Sequence, residues 1–258
     1  MSITGPILEV ENLYKNFGGV KAVQDFSLTV GRGKIQGIIG PNGAGKTTIF
    51  NLISRIYPVD GGTIVFDGQD VTKQNQVAVA RIGLSRTFQN TRLFAGLSVL
   101  DNVKVGLDHT GKYTIVEAMF LAPRRWREER RIAKEAAACL EILQLAKYAG
   151  QRPNNLSYGI QRRVEIARAV VSRPKLLLLD EPAAGLNPEE VFELIEFIRL
   201  IKREYDLTIL VIEHRMDLIM TLCELIHVQN FGLTIAVGTP TEIQEDPHVL
   251  AAYLGEED

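Results

Sequence analysis

The sequence predicts an α/β fold whose core is a mixed, mainly parallel sheet, with an N-terminal antiparallel β-layer and an inserted helical subdomain. A short apolar run at 35–39 precedes a glycine-rich loop, and helical spacing follows it, which is the strand–loop–helix order of a parallel α/β unit. The run of leucines at 176–179 is typical of a central strand covered on both faces. Residues 90–165 show mostly helical periodicity, so we expect a helical subdomain there, inserted within a single domain spanning 1–258.

The glycine-rich loop at 40–48 matches the phosphate-binding pattern G-x-x-x-x-G-K-[ST] at every required position, and so predicts a P-loop NTPase core. Its glycines let the backbone fold closely around phosphate oxygens, and the N–H groups at the start of a helix favour an anion. We expect the Lys46 ammonium group to neutralise the β- and γ-phosphates and the Thr47 hydroxyl to bind Mg²⁺. The predicted nucleotide-binding residues of this loop are Gly40, Pro41, Asn42, Gly43, Ala44, Gly45, Lys46, Thr47 and Thr48.

Length, net charge, cysteine spacing and the distribution of apolar residues limit the class of protein that we expect. A chain of 258 residues lies at the upper edge of single-domain size, and its net charge of -2 gives no overall basic footprint for nucleic acid. Cys139 and Cys223 lack metal-binding or redox spacing, so we expect a reduced, cytoplasmic protein. The N-terminal residues do not resemble a secretory signal, and no stretch reaches the ~18 apolar residues of a membrane span. Any spanning of a membrane is therefore expected from other chains.

Apolar and polar residues alternate at 7–13 and again at 26–30, which is the period of half-buried strands and predicts the antiparallel β-layer. Between these segments, Phe17 stands beside two glycines. Two interpretations of Phe17 are open. It is either a core residue at a strand end or an aromatic platform that stacks on a nucleobase.

Polar side chains follow three further predicted strands. The strand at 82–88 ends at Gln89, a residue type that in a loop is usually only solvated. The leucine run ends at Asp180, which is expected to hold Mg²⁺ through water, and at Glu181, which is expected to polarise an attacking water. A buried strand at 208–212 leads to His214, which is either structural or a contact of the γ-phosphate.

A second anion site is predicted at Ser157. This residue is expected to cap a helix that starts near Gly159, because apolar residues from Ile160 to Val171 recur at helical spacing. The phosphate loop does not require a second helix N-terminus, so this site suggests that two chains cooperate.

The segment 124–131 within the helical subdomain is rich in arginine and carries Trp126. One interpretation is a solvated helix face with ordinary intrahelical ion pairs. The neighbouring apolar segment 113–121 is open to three interpretations: docking on another subunit, contact with anionic lipid head groups, or packing on the subdomain itself.

Taken together, the phosphate loop, Gln89, the turn Leu-Ser-Tyr-Gly at 156–159, Asp180-Glu181 and His214 occur in the order found in the ATP-binding cassette (ABC) ATPases, and this resemblance covers nearly the whole chain. It implies ATP and Mg²⁺ as cofactors. The implied nucleotide and metal contacts are Phe17 on adenine, Lys46, Thr47 and Thr48 on phosphates and Mg²⁺, Gln89 on metal and water, and Asp180 on Mg²⁺. Catalysis is implied for Glu181 as general base, His214 as γ-phosphate contact, and Gln89. Ser157, Tyr158 and Gly159 are implied to close over ATP held by a second ATPase subunit in a head-to-tail dimer.

The sequence departs from the family's usual pattern in two places. Tyr158 and Ile160 replace the third and fifth residues of Leu-Ser-Gly-Gly-Gln, and Asn187 stands where Asp is common. A nucleotide-binding subunit that is catalytically weak is therefore one hypothesis. The presence of Glu181 and His214 argues against it.

Within the family, Arg-Thr-Phe-Gln-Asn at 86–90, the helical insertion, Ala-Ala-Gly-Leu-Asn-Pro at 183–188 and Ala-Tyr-Leu-Gly at 252–255 resemble the larger ATPase subunit of bacterial branched-chain amino acid importers. The resemblance implies a peripheral protein on the cytoplasmic face of the inner membrane. Its implied partners are a second ATPase subunit, two membrane-spanning permease subunits and, indirectly, a solute-binding protein, with no nucleic acid expected. The alternatives are a lipopolysaccharide-export ATPase, whose chain end is similar, and a soluble cassette ATPase without a transport role.

Overall fold

The chain groups into two compact units in the computed structural model, which describes residues 5–87, 92–107 and 123–254. Unit 1 comprises 1–89, 175–184 and 206–258, and unit 2 comprises 90–174 and 185–205. Residues 185–205, which lie outside the helical subdomain predicted at 90–165, thus group with the helical unit. The bounds of that subdomain stay a prediction.

The strands of the described residues, in chain order, are β1 Leu8–Phe17, β2 Val20–Val30, β3 Ile35–Ile39, β4 Gly61–Phe66, β5 Gln69–Asp70, β6 Leu84–Arg86, β7 Leu176–Asp180, β8 Thr208–Ile212, β9 Leu225–Asn230 and β10 Leu233–Gly238. The helices are α1 Lys46–Ile53, α2 Gln76–Arg81, α3 Val99–Val105, α4 Pro123–Ile142, α5 Tyr158–Val170, α6 Pro188–Tyr205, α7 Met216–Leu222, α8 Pro240–Glu245 and α9 Pro247–Leu254. None of the helices within the described ranges is long and apolar enough to cross a membrane.

Unit 1 contains the predicted antiparallel β-layer, which is confirmed as a sheet of order β2–β1–β4–β5. Strand β1 pairs with both β2 and β4, so that Leu8 lies opposite Val30 on one side and Phe66 on the other. These side chains are buried together with Ile49 and Phe50 of α1 in one apolar cluster. The β-layer and the phosphate-loop helix therefore share a core.

The second sheet of unit 1 has the order β10–β9–β3–β8–β7–β6 among the described residues. Its pairs are parallel except for the hairpin of β9 and β10, which confirms the predicted mixed, mainly parallel sheet. Every residue of β3, β7 and β8 is buried, as the apolar runs at 35–39, 176–179 and 208–212 predict. Strand β6 is shorter than the predicted 82–88.

The described part of unit 2 is helical, and two of its helices confirm sequence predictions directly. Helix α5 starts after Ser157, whose hydroxyl oxygen accepts a hydrogen bond from the Ile160 N–H at 3.4 Å. Helix α6 buries the apolar stripe that its periodicity predicts, namely Val191, Leu194, Ile195, Ile198 and Ile201. The apolar segment 113–121 lies outside the described residues, so its three interpretations stay open.

The burial of His227 in unit 1 can be tested through the pH dependence of stability. Its ring lies 6.3 Å from the Phe26 ring, is 5% exposed, and neither nitrogen has a hydrogen-bond partner among the described residues. Burial lowers the pKa of His227 from 6.5 to about 4. The unfolded chain therefore binds a proton near its ordinary pKa while the folded chain does not, so stability falls as pH drops from 6.5 towards 4 and is unaffected above that window.

We predict that the free energy of unfolding depends less on pH in His227→Leu than in the wild type. For one such group the difference amounts to about 2–3 kcal/mol across the pH window. The measurement is the free energy of unfolding in urea at several pH values between 4.5 and 8. Exposed His248 supplies the control variant His248→Leu, which should keep the wild-type pH profile. If the free energy of unfolding of His227→Leu depended on pH as in the wild type, the burial of a neutral imidazole would be contradicted.

Candidate functional site

The phosphate loop connects β3 to α1 and is built on left-handed glycines. Gly40, Gly43 and Gly45 have φ values of 146°, 78° and 96°. A Cβ atom on Gly40 would lie 2.0 Å from the Gln229 carbonyl oxygen, and one on Gly45 would lie 2.2 Å from the Ala22 carbonyl oxygen. Real Cβ atoms do not approach carbonyl oxygens this closely, so the loop requires glycine at 40 and 45.

The turn between β9 and β10 supports this loop from one side. The Gly232 N–H donates to the Ala44 carbonyl oxygen at 3.2 Å, and the Gln24 N–H donates to the Gly232 carbonyl oxygen at 2.8 Å. Phe231 in the same turn is 81% exposed and lines the pocket above the loop. The hairpin itself is predictable from its sequence, but its support of the phosphate loop is not, because these contacts join residues far apart in the chain.

A pocket of about 340 Å³ lies over the loop. It is lined by the predicted residues Asn42, Gly43, Ala44, Gly45, Lys46, Thr47, Thr48 and Glu181, and also by Val20, Lys21, Ala22 and Phe231. Gly40 and Pro41 are buried and do not line it. The structure thus brings the phosphate loop and Glu181 to the same pocket.

Lys46 lies across the loop that it belongs to. Its ammonium group donates to the carbonyl oxygens of Gly40 at 2.6 Å and Pro41 at 2.8 Å, and the residue is only 6% exposed. A buried ammonium group at the start of a helix, where backbone N–H groups have no partner within the helix, gives the pocket a positive potential that suits phosphate.

Asp180 ends strand β7 and is held by Arg86. The guanidinium group of Arg86 contacts the Asp180 carboxylate at 2.7 Å and also donates to Asn51 and Ser54. Both partners are buried, so this is a desolvated ion pair whose geometry orients the carboxylate. From the sequence, Arg86 was assigned to a strand and to a family motif, and its pairing with Asp180 was not predicted.

The donor set fits Mg²⁺. The Thr47 hydroxyl and the Asp180 carboxylate are hard oxygen ligands, which Mg²⁺ prefers. No group of three or more His, Cys, Asp or Glu within 5–87, 92–107 and 123–254 forms a metal cage. Few protein ligands are the usual arrangement for a cation that shares its ligands with nucleotide phosphates and water. Gln89, the third predicted ligand, lies outside the described residues.

Glu181 has an unusual backbone conformation, with a φ of 45° that L-residues rarely adopt. Its N–H donates to the Ile212 carbonyl oxygen at 2.9 Å, which ties the end of β7 to the end of β8. His214 follows β8, is half exposed, and places its Nδ1 atom 3.9 Å from Glu181 Oε2. The structure therefore brings these two predicted catalytic residues together.

Glu213 is a buried carboxylate that the sequence analysis passed over. It accepts hydrogen bonds from the backbone N–H groups of Ala183, His214 and Arg215. Burial raises its pKa, while these three bonds act in the opposite direction. The available signal was a glutamate directly after a predicted buried strand, since an acidic residue is rarely buried without partners.

Phe17 ends strand β1 and is 42% exposed. Its ring packs edge-on against Tyr57 at 5.4 Å, and the Lys15 ammonium group lies 5.4 Å from the ring centre. It does not line the pocket over the phosphate loop. Stacking on adenine stays a prediction.

The turn at 157–159 lies in unit 2 and packs on the loop that precedes α6. A Cβ atom on Gly185, which has a φ of 77°, would lie 3.2 Å from the Tyr158 ring. A Cβ atom on Gly159 would lie 3.1 Å from the carboxylate of Glu190. Glu190 and Asn187 in turn exchange hydrogen bonds between side chain and backbone N–H. Two of the three positions that depart from the family pattern, Tyr158 and Asn187, therefore belong to one packed segment.

Two similarities to known proteins establish the family of this chain. A family profile described as "ABC transporter" matches residues 23–184. The chain is also 42% identical over 251 residues to the high-affinity branched-chain amino acid transport ATP-binding protein BraF of Pseudomonas aeruginosa, covering 97% of this chain and 98% of that protein. The chain belongs to the ABC transporter ATPases.

Other comparisons locate the chain within this family of ABC ATPases. A second profile, described as "Branched-chain amino acid ATP-binding cassette transporter", matches residues 234–258. LivG of Escherichia coli is 42% identical, with 97% of this chain and 98% of that protein covered. The lipopolysaccharide export ATP-binding protein LptB of Escherichia coli is 39% identical over the same shares of the two chains.

Solved structures of ABC ATPases confirm the P-loop NTPase fold. A nucleotide-free ATP-binding cassette from an ABC transporter superposes with a TM-score of 0.84 at 30% identity, covering 97% of this chain and all of that one. An ATP-binding cassette in its ADP conformation gives a TM-score of 0.83 at 30% identity, with 98% of this chain and 100% of that chain covered.

The close approach of Gly45 to the Ala22 carbonyl oxygen can be tested by substitution. We predict that Gly45→Ala destabilises the protein by at least about 2 kcal/mol more than Gly68→Ala, since both positions have positive φ but only Gly45 lacks space for a Cβ atom. Gly68→Ala serves as the control because no atom lies within 4 Å of its built Cβ. Urea unfolding measures the difference, and equal losses in the two variants would contradict the described loop geometry.

Proposed function

We propose that this chain is the ATP-hydrolysing subunit of an ABC importer that takes up branched-chain or other hydrophobic amino acids. The observation that carries the hydrolytic part is the shared pocket of the phosphate loop and Glu181. The solute class is supported by the branched-chain amino acid profile at 234–258 and by the names of the relatives BraF and LivG.

In this proposal, the triphosphate lies on the backbone N–H groups of 42–48, and Lys46 contacts the β- and γ-phosphates. Thr47, Asp180 and Gln89 hold Mg²⁺, with Arg86 orienting Asp180. When bound, Mg²⁺ neutralises charge on the β- and γ-phosphates. Phe17 is the adenine platform, and its half-exposed ring is compatible with stacking.

Glu181 acts as the general base. Its carboxylate accepts a proton from water while the water oxygen attacks the γ-phosphorus, and the bond to the leaving ADP oxygen breaks. His214 donates a hydrogen bond to the γ-phosphate from the same side, which its position 3.9 Å from Glu181 supports. Both groups lie at the carboxyl ends of neighbouring parallel strands, so a small rigid part of unit 1 holds them.

The pocket is proposed to be half of a complete site. Ser157, Tyr158 and Gly159 of one ATPase subunit close over the nucleotide of the other, so that two subunits arranged head to tail form two sites. Two permease subunits bind this pair at the cytoplasmic face of the inner membrane, and a solute-binding protein acts on the far side.

We predict that Glu181→Gln keeps ATP binding and lowers turnover by about 10²–10⁴-fold, because the amide does not accept the proton from water. Binding of a fluorescent ATP analogue and phosphate release measure the two quantities separately. The exposed residue Glu204 gives the control Glu204→Gln, which should turn over ATP normally. Wild-type turnover in Glu181→Gln would remove the general-base assignment.

The transport role predicts specific partners. Expressed with the permease subunits of a branched-chain amino acid importer, the chain should copurify with them, and membrane vesicles containing the complex should take up labelled leucine only with ATP. Lys46→Ala is the matched control, with an assembled complex and no uptake expected.

Lipopolysaccharide export is the second candidate, favoured by the 39% identity to LptB. Copurification with lipopolysaccharide-export membrane subunits, without leucine uptake, would select it. A stable soluble complex without any membrane subunit would contradict both transport roles.

A further inference from the structure

We propose that Glu213 is a positioning residue for ATP hydrolysis, which fixes the backbones of the two segments that carry Glu181 and His214. The inference rests on the proposed roles of these two residues. Glu213 itself does not line the nucleotide pocket, so it acts through its neighbours rather than on the reacting atoms.

The carboxylate of Glu213 joins two loops. Its Oε1 atom accepts a hydrogen bond from the Ala183 N–H at 2.7 Å, two residues after Glu181. Its Oε2 atom accepts from the N–H groups of His214 at 3.0 Å and Arg215 at 3.1 Å. A single side chain thus restrains the turn after β7 and the turn after β8 together.

A carboxylate suits this task better than any neutral side chain. Glu213 is 0% exposed, and every bond given above comes from an N–H donor, so both oxygen atoms are needed as acceptors. A glutamine would present an NH₂ group to one of the two loops, and the backbone N–H groups of that loop would then lack an acceptor. Bonds from N–H donors to a charged acceptor in a desolvated site are also among the stronger hydrogen bonds.

The backbone at Glu181 explains why such a restraint is required. A non-glycine residue with a φ of 45° persists only where its surroundings fix it. Glu181 is fixed through its own N–H to Ile212, through its carbonyl oxygen to the Ala184 N–H at 3.1 Å, and through the bond from Ala183 to Glu213. Without the hydrogen bond from Ala183 to Glu213, the strained turn at Glu181 loses one of these three restraints.

The consequence concerns the relative position of the two catalytic side chains. Glu181 Oε2 and His214 Nδ1 lie 3.9 Å apart, and His214 Nδ1 lies 4.0 Å from Glu213 Oε2. Because hydrolysis depends on placement of the base, a displacement of about 1 Å lowers the rate by about 10²-fold. Most of the nucleotide contacts, those of the phosphate loop and Phe17, lie outside these two turns, so such a displacement changes nucleotide affinity little.

The test compares Glu213→Gln with Asp67→Asn. Asp67 is another buried carboxylate of unit 1, paired with Arg32 and Lys175 at the opposite end of β7 from Asp180. We expect kcat of Glu213→Gln to fall about 10–100-fold with the Kd for ATP within about threefold of wild type. Asp67→Asn should lower the melting temperature but keep kcat per bound nucleotide.

Two further variants separate this inference from the proposed function. Glu213→Asp keeps the charge but is one methylene too short to reach both loops, so its kcat should also fall, which keeps the test decisive if Glu213→Gln does not fold. The double variant Glu181→Gln, Glu213→Gln should be less impaired than the product of the two single effects.

Wild-type kcat in Glu213→Gln or in Glu213→Asp would overturn the positioning role. A fall in activity that is fully explained by a smaller fraction of protein able to bind nucleotide would overturn it as well. If Glu181→Gln lowers turnover as expected while the Glu213 variants keep wild-type kcat, only this inference fails. If Glu181→Gln itself keeps turnover, the general-base assignment of the proposed function fails.

Discussion

Parallel pairing of β3, β8 and β7 is the constraint on which the site depends. Ile38 of β3 lies opposite Ile212 of β8, and Ile212 lies opposite Asp180 of β7, so the three strands end at the same level. The phosphate loop, the turn after Asp180 and the turn after Ile212 therefore leave one edge of the sheet together. A register shift of one residue in any pair would turn the functional side chains to the other face of the sheet.

At this edge the chain adopts conformations that ordinary residues avoid. Gly40 and Gly45 allow the loop to pass within van der Waals contact of Gln229 and Ala22. Glu181 adopts a left-handed conformation without the freedom of glycine. The buried ion pair of Arg86 with Asp180 and the three bonds to Glu213 surround these segments. Strained backbone and desolvated charge occur together here, which is the arrangement expected of a site that is fixed before its substrate binds.

The sequence predicted what depends on local pattern. Runs rich in apolar residues predicted β3, β7 and β8, the phosphate-loop pattern predicted the pocket, and Ser157 predicted the start of α5. Long-range partners were not predictable in the same way: Arg86 and Asp180 are 94 residues apart, and Glu213 and Ala183 are 30 apart. Such pairs follow from sheet register, which a single sequence does not specify. The role of Gln89 and the bounds of the helical subdomain stay predictions.

In the proposed mechanism, the phosphate loop and Glu181 act on one triphosphate. A crystal structure of the Glu181→Gln protein with ATP and Mg²⁺ tests it most directly. We expect a triphosphate on the backbone of 42–48, with the γ-phosphate between Lys46 and the side chain at 181 and within hydrogen-bond reach of His214. A γ-phosphate that points away from residue 181, or a nucleotide bound elsewhere on the chain, would contradict it.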